Sequence, residues 1–410
     1  MTAPAAFHLH LVHRLWRRLP VRQRRSLVTW GSALLAPRID RVPPPAAHGI
    51  AIAGEFSRAS GLGEGARLLQ RGLQQAGVSN WIIDVGTLLP AHTPDFPVTS
   101  ERPPSGAPLI LHVNPPLLPL VLFRLPQDLI RGRRIIGYWL WELPTVPPDW
   151  HAGARFVHEV WVPSKFIADA VEPLLPGRIR TVPFPLAVAR PQPSALDRAA
   201  FGLPQDAVVV LVSFNLASSF ERKNPLAAIA AFRAAFGDRA DRILLLKVGN
   251  REHAPEDFAR IVAATGGAPN IRLETRTFPS DDLHALTAAS DIVMSLHRSE
   301  GFGLVLAEAM LLGKPVVATG WSGNMAFMDA DSAALVDYRL VATNDPRQVY
   351  TGASWAEADH ASAVHHLRRL ADDAAARAAL GAKGQSTATA RLGIAPLVTA
   401  LRDIGLQPPP

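Results

Sequence analysis

The chain contains no cysteine, which excludes a disulfide framework and any thiolate metal site. It has no run of about 18 or more uncharged apolar residues, so a bilayer-spanning helix is not expected. Beyond residue 45 it also lacks any charge excess. Residues 1–45 hold eight arginines (Arg14, Arg17, Arg18, Arg22, Arg24, Arg25, Arg38 and Arg41) against the single acid Asp40, and the remainder carries 34 basic and 34 acidic side chains. A body balanced in this way lacks the basic face that nucleic-acid binding uses. What is present is length, since 410 residues suffice for two domains with full cores.

The basic excess is therefore a local device. Phe7, Leu9, Leu11, Val12, Leu15, Trp16 and Leu19 sit among His13, Arg14, Arg17 and Arg18, patterned as a basic amphipathic helix rather than a signal peptide. Two readings stay open for residues 1–45. One is peripheral contact with an anionic membrane, on the inner face of the cell membrane of an otherwise cytoplasmic protein. The other is a helix pair packed on the first domain with its arginines solvated. Pro43-Pro44-Pro45 ends this leader as a stiff linker.

From there apolar runs of strand length alternate with helical stretches, the pattern of doubly wound α/β domains. Ile50–Ala53, Trp81–Val85, Leu109–Val113, Ile135–Trp139 and Glu159–Val162 read as strands of a first domain, residues 46–190. Gly61 and Gly63 lie in a glycine loop between the first strand and a helix from Ala66 to Ala76. Such a loop suits a phosphate, although many first strand-to-helix turns are glycine-rich for packing alone. His112 and Asn114 end one strand, and Glu142 follows Tyr138-Trp139-Leu140-Trp141, at the strand ends where open α/β sheets place ligands. His112 is a possible sugar contact or a satisfied buried imidazole. Trp139 is a possible stacking face for a sugar or part of the core.

A second α/β domain is expected over residues 191–385, its strands beginning with Ala207–Phe214 and continuing at Ile243–Val248, Ile271–Leu273 and Ile292–Leu296. Arg222 and Lys223 stand together at a strand-to-helix turn, where adjacent cations suit an anion. Residues 339–355 read as irregular, Trp355–Gly381 as a helix, and residues 386–410 as a terminal helix that crosses back to the first domain.

The densest signal is Glu300-Gly301-Phe302-Gly303-Leu304, followed by Ala307-Glu308-Ala309-Met310 and Gly313-Lys314-Pro315-Val316-Val317-Ala318. Its order is strand, glycine loop, helix, strand. The glycines let backbone amides approach a ligand, and a helix opening at Leu304 offers unpaired N–H groups to a diphosphate. Glu300 and Glu308 bracket that anion site, and two carboxylates beside a phosphate imply sugar or ribose hydroxyls as their partners.

With these residues the chain resembles the retaining glycosyltransferases of family 4, which have the GT-B architecture of two Rossmann-like domains facing across a cleft. The resemblance runs from about Ala51 to Ala400 and is densest in the second half. It implies a nucleotide-diphosphate sugar as donor, a hexosyl unit of mannosyl or glucosyl type, and a glycan or lipid-linked saccharide as acceptor. It also implies no cofactor and no metal; the chain has no Asp-x-Asp at a strand end. It assigns Glu300 to donor-sugar hydroxyls, Glu308 to the ribose, Lys223 to the diphosphate, and Gly61 and Gly63 to the diphosphate from the first domain. Arg276 and Thr277 fall where the family borders the nucleotide base, and Asn324 where the donor sugar or acceptor is reached. Two departures matter. The arginine often found six residues before the lysine is Ala217 here, which leaves Arg222 to replace it or to face water. The histidine that many members carry after the strand ending in Tyr138-Trp139 is absent, which makes Glu142 the first candidate to touch the reacting sugar. The same architecture also serves sugar epimerases and phosphorylases, and a non-catalytic sugar-nucleotide-binding partner is a third reading.

Overall fold

The computed structural model describes residues 18–19, 21–88, 95 and 97–409. The amphipathic pattern over Phe7–Leu19 falls almost wholly outside the described residues. A first parallel sheet comprises β1 (Ile50–Gly54), β2 (Asn80–Asp84), β3 (Leu109–His112), β4 (Ile135–Tyr138), β5 (Glu159–Val162) and β6 (Ile179–Thr181), in the order β2-β1-β3-β4-β5-β6. A second comprises β7 (Val208–Asn215), β8 (Arg242–Gly249), β9 (Ile271–Glu274), β10 (Ile292–Ser295), β11 (Val316–Thr319) and β12 (Ala334–Val336), ordered β12-β11-β10-β7-β8-β9. Helices cover both faces, so β1, β3, β4 and β11 are buried along their whole length. That explains continuous apolar runs such as Leu244-Leu245-Leu246 where one wet face would demand alternation.

Strand order reverses once in each sheet, between β1 and β3 and between β7 and β10. At such a reversal the loops leaving the two neighbouring strands run to opposite faces and open a crevice at the carboxyl ends. The loops after β7 and β10 carry Arg222, Lys223 and Glu300.

Three local expectations are corrected. Gly61, Gly63 and Gly65 are not a loop but the first turn of the helix Gly61–Gln75, begun by Ser60, whose hydroxyl accepts the Gly63 N–H at 3.1 Å. Glycine is needed there because a Cβ at Gly63 would stand 2.3 Å from the Arg58 carbonyl oxygen. Leu68, Leu69 and Leu73 anchor the same helix in the core, each worth roughly 1.5–3 kcal/mol of burial. Residues 339–355 are irregular only from 343 to 353: at either end β13 (Tyr338–Ala342) and β14 (Ser354–Ala358) form an antiparallel hairpin. Trp355 therefore sits in a strand, and the helical stretch beyond it is two helices, His360–Asp372 and Ala374–Arg391, the second capped by the Asp373 carboxylate.

The helix Ala395–Asp403 lies against the first domain, with Leu397, Leu401 and Ile404 in one apolar cluster with Ile50, Leu69 and Leu73. At the other end of the chain the helix Val21–Leu35 also packs on that domain, through Thr29, whose hydroxyl donates to the Pro116 carbonyl at 3.0 Å, and through Ala33. Among the described residues no helix is long and apolar enough to cross a membrane.

Candidate functional site

The site is assembled where the second sheet reverses. After β7, Ser219 caps a one-turn helix, Phe220–Lys223, by accepting the Arg222 N–H at 3.2 Å. Asn224 then takes a left-handed conformation (φ 52°) that redirects the chain into the helix Pro225–Phe236. One short turn thus presents two cations to the loop that follows β10. There Glu300 is held by its own N–H, which donates to Ser322 Oγ at 2.9 Å, with the buried His297 two residues beyond β10.

Lys223 Nζ donates to Glu300 Oε1, and Arg222 Nη1 stands 3.2 Å from Oε2. The two cations are not equivalent. Arg222 is 5% exposed and its guanidinium is engaged by the Ser299 carbonyl at 2.7 Å and Ser218 Oγ at 2.8 Å, with Glu142 Oε1 at 3.9 Å. Lys223 is 21% exposed. Arg222 therefore neither replaces the missing arginine as an open diphosphate ligand nor faces water; it is a buried support for Glu300. Burial opposes the charge on Glu300, but Lys223, Arg222 and His297 outweigh it and hold the carboxyl at about 2. Burial lowers the Lys223 ammonium, with Glu300 acting against that shift. Glu300 is thus an ionised carboxylate in a low-dielectric setting, where its attraction to neighbouring cations is strong.

The glycines of the loop serve packing as well as approach. A Cβ at Gly301 would stand 2.9 Å from the Trp141 carbonyl oxygen of the first domain, and Ser164 Oγ donates to the Gly301 carbonyl at 3.0 Å. Gly303, at φ 95°, starts the helix Leu304–Leu311 in a conformation that a Cβ disfavours. Glu308 lies one turn along, its carboxylate 4.0 Å from His284 Nε2. Burial first, and Glu64 of the first domain second, push Glu308 up to about 8 against the pull of Arg71. Carboxylates from both domains thus meet at this end of the cleft.

Glu142 joins the cluster from the first domain. Its backbone carbonyl accepts the Ser299 hydroxyl, and its carboxylate is hydrogen-bonded to Tyr350. Tyr350, in the loop joining β13 to β14, is a residue that the sequence reading missed. It is buried, its ring 5.6 Å from that of Trp141 and its N–H bound to Asp345 Oδ2 at 3.0 Å. Burial, then Glu142, raise its phenol above the ordinary range, so it serves as a neutral donor.

Several other expected residues are buried. Trp139 is fully buried, edge-on to Trp150 at 5.8 Å, and offers no face to a sugar. Phe302 is buried against Phe184 and Phe327, so only its backbone is available to a donor. Leu304 is half-buried behind it. Asn324 is wholly buried: its Oδ1 meets His297 Nε2 at 3.1 Å and its Nδ2 donates to the Thr319 carbonyl at 3.1 Å, which makes it a prop for His297 rather than a sugar contact. His112 is buried with neither ring nitrogen partnered, stacked on Tyr138 at 5.0 Å, and burial takes it down to about 4. Neither alternative drawn from the sequence, substrate contact or satisfied imidazole, describes it. Arg276 is exposed and chelated by Glu274, and Thr277 beside it is exposed. Among the described residues no group of three or more His, Asp or Glu is placed to hold a metal ion.

Comparison with known proteins bears on the family likeness and the fold. Residues 207–356 match the family model Glycosyl transferases group 1, a stretch that contains Arg222, Lys223, Glu300, Glu308 and Tyr350. The chain is 32% identical over 229 residues to a D-inositol 3-phosphate glycosyltransferase of Acidothermus cellulolyticus, a match spanning 54% of this chain and 48% of that protein. It thus spans about half the length of the curated relatives it matches. Among solved structures, the Anabaena HepE protein in complex with UDP and glucose superposes with a TM-score of 0.60 at 15% identity, over 87% of this chain and 99% of that one. Sucrose-phosphate synthase from Thermosynechococcus elongatus gives 0.61 at 18% identity, over 87% and 98%. Likeness at these identities shows the fold, which is the GT-B arrangement.

Proposed function

We propose that this chain is a retaining glycosyltransferase of the family 4 kind, which moves a mannosyl- or glucosyl-type unit from a nucleotide-diphosphate sugar to a glycan or lipid-linked saccharide. The observation that carries the reading is the Lys223–Glu300 pair at the reversal of the second sheet, supported from beneath by Arg222 and flanked by a helix that opens at a left-handed glycine. An ammonium has three donors, so Lys223 can keep Glu300 while a second N–H meets a phosphate oxygen. As the bond between the anomeric carbon and the phosphate oxygen breaks, negative charge grows on the diphosphate. Lys223 and the N–H groups opening the helix Leu304–Leu311 are fixed in position to stabilise it. Glu300 orients donor-sugar hydroxyls, and Glu308 meets the ribose. The acceptor oxygen bonds to the anomeric carbon on the face the phosphate leaves, and its proton passes to the departing phosphate. This explains the lack of a dedicated base. In this reading the charge is neutralised by protein cations, without a metal.

A metal-free binding screen of the purified chain against UDP-, GDP-, ADP- and dTDP-sugars tests the reading. The expected result is selective binding of one nucleotide class that is lost in Lys223→Ala. Binding to none of the four, with the protein folded, would overturn it.

A further inference from the structure

We infer that the helix Val21–Leu35, together with the turn and helix it packs beside, forms a docking face for an anionic lipid bilayer. The helix is two-sided in an unusual sense. Thr29, Ser32, Ala33 and the following Ala36 recur at helical spacing and are the side buried on the domain. The opposite side shows Leu27 (54% exposed), Trp30 (45%), Leu34 (81%) and Leu35 (66%). A surface helix that already has its packing stripe ordinarily turns polar residues to water; this one turns four large apolar residues outward. Leu117 and Phe123, in the segment Leu117–Arg124 against which it packs, are exposed as well. Single exposed apolar residues call for no account, but six on two abutting elements do.

Charge identifies the occupant. Arg18, Arg38, Arg41, Arg124 and Arg155 are exposed on these and neighbouring elements, with the Arg155 guanidinium 5.8 Å from the Trp30 ring centre. The acid of this segment, Asp40, has its carboxylate engaged by the Gly132 N–H at 2.9 Å. Apolar side chains beside arginines match a bilayer interface, where acyl chains receive the first and headgroup phosphates pair with the second. Trp30 is suited to the boundary between the two. The face also has a direction. Thr29 is tied to Pro116 beyond the carboxyl end of β3, and Asp40 to Gly132 and His158 at the amino ends of β4 and β5. The segment 29–40 therefore runs from the cleft edge of the first domain to its far edge, which would hold the cleft beside the surface carrying a lipid-linked acceptor. That last step rests on the transfer reading; the docking face does not.

The test is co-sedimentation of the full chain with vesicles of phosphatidylcholine mixed with phosphatidylglycerol, and with phosphatidylcholine alone. The chain is expected to sediment with the anionic vesicles, less so as salt rises, and not with the neutral ones. Trp30→Glu combined with Leu34→Glu should lower that partition by about tenfold or more. Because both side chains already face water, the thermal midpoint and nucleotide-sugar binding should stay unchanged. Arg38→Gln with Arg41→Gln should weaken the partition and flatten its salt dependence. Equal partition of the Glu variant, or no binding to anionic vesicles, would overturn the inference. So would a wild-type dimer that the Glu variant splits without any vesicle binding, which would make the face a contact between copies. In each of these cases intact donor binding would leave the transfer reading standing.

Discussion

At the reversal of the second sheet the chain places Lys223, Arg222 and Glu300, with their charges facing one another and Lys223 partly exposed. At the reversal of the first, between β1 and β3, it places a helix turn already capped by Ser60 and a histidine sealed among Tyr138 and Phe184. Burial acts on both. In the first domain no charge compensates it, and burial takes His112 down to about 4, which leaves it neutral at physiological pH. In the second, two cations and a histidine overcome it and Glu300 stays charged. Strand order thus supplies a crevice twice, while side-chain chemistry makes one a charged site and the other a packing junction.

The contrast can be broken most directly at Lys223. Lys223→Ala is expected to lower kcat by roughly 10²–10³-fold, the range for losing one fixed electrostatic stabiliser; a loss below about tenfold would place the two crevices on a par. Arg222→Met addresses the support beneath. It leaves Glu300 buried with one partner fewer and should destabilise the fold by about 3–5 kcal/mol in urea denaturation, where a solvated arginine would cost about 0.5 or less.

Glu308 sharpens the comparison through pH. Its pKa in the folded chain is raised to about 8, so the fold binds a proton that the unfolded chain has released. Its contribution to stability is complete below the ordinary carboxyl value of about 4.5 and is lost as pH rises through about 8. Unfolding free energy should therefore fall between those limits by on the order of 2 kcal/mol, allowing for partial exposure. Glu308→Gln should remove that slope and weaken donor binding, and an unchanged slope would discount the burial of this carboxyl. The smallest effects separate two glycines. Gly303→Ala, at positive φ, should cost about 1–2 kcal/mol. Gly61→Ala meets nothing within 4 Å and should raise stability by up to about 1 kcal/mol. If Gly61→Ala nonetheless weakens donor binding, the first crevice also receives the diphosphate.

Much of this arrangement is legible in the sequence because it is local. The run from Ile292 to Ala318 contains a buried strand, a glycine turn, a helix and a second strand, and the structure forms β10, the helix Leu304–Leu311 and β11 within a residue or two of the expected ends. Other features failed for identifiable reasons. Gly61 to Gly65 looked like a loop because glycine disfavours helices, but Arg58 at Gly63 and Phe184 at Gly65 leave no room for a Cβ at those two positions. The hairpin of β13 and β14 was hidden because its strands, half exposed, show no apolar run.

By itself the sequence determined two parallel α/β sheets, the position of the glutamate-bracketed glycine turn and the confinement of excess positive charge to the first 45 residues, since each depends on composition, spacing or backbone preference within a short stretch. Only the tertiary structure decided which of these residues do chemistry together. It buried Arg222 and left Lys223 partly exposed, turned Trp139 and Asn324 inward, brought Tyr350 to Glu142 across more than 200 residues, and set the leader helix with its apolar side outward. Burial and charge pairing are properties of neighbours in space, and the order of residues along a chain does not name them.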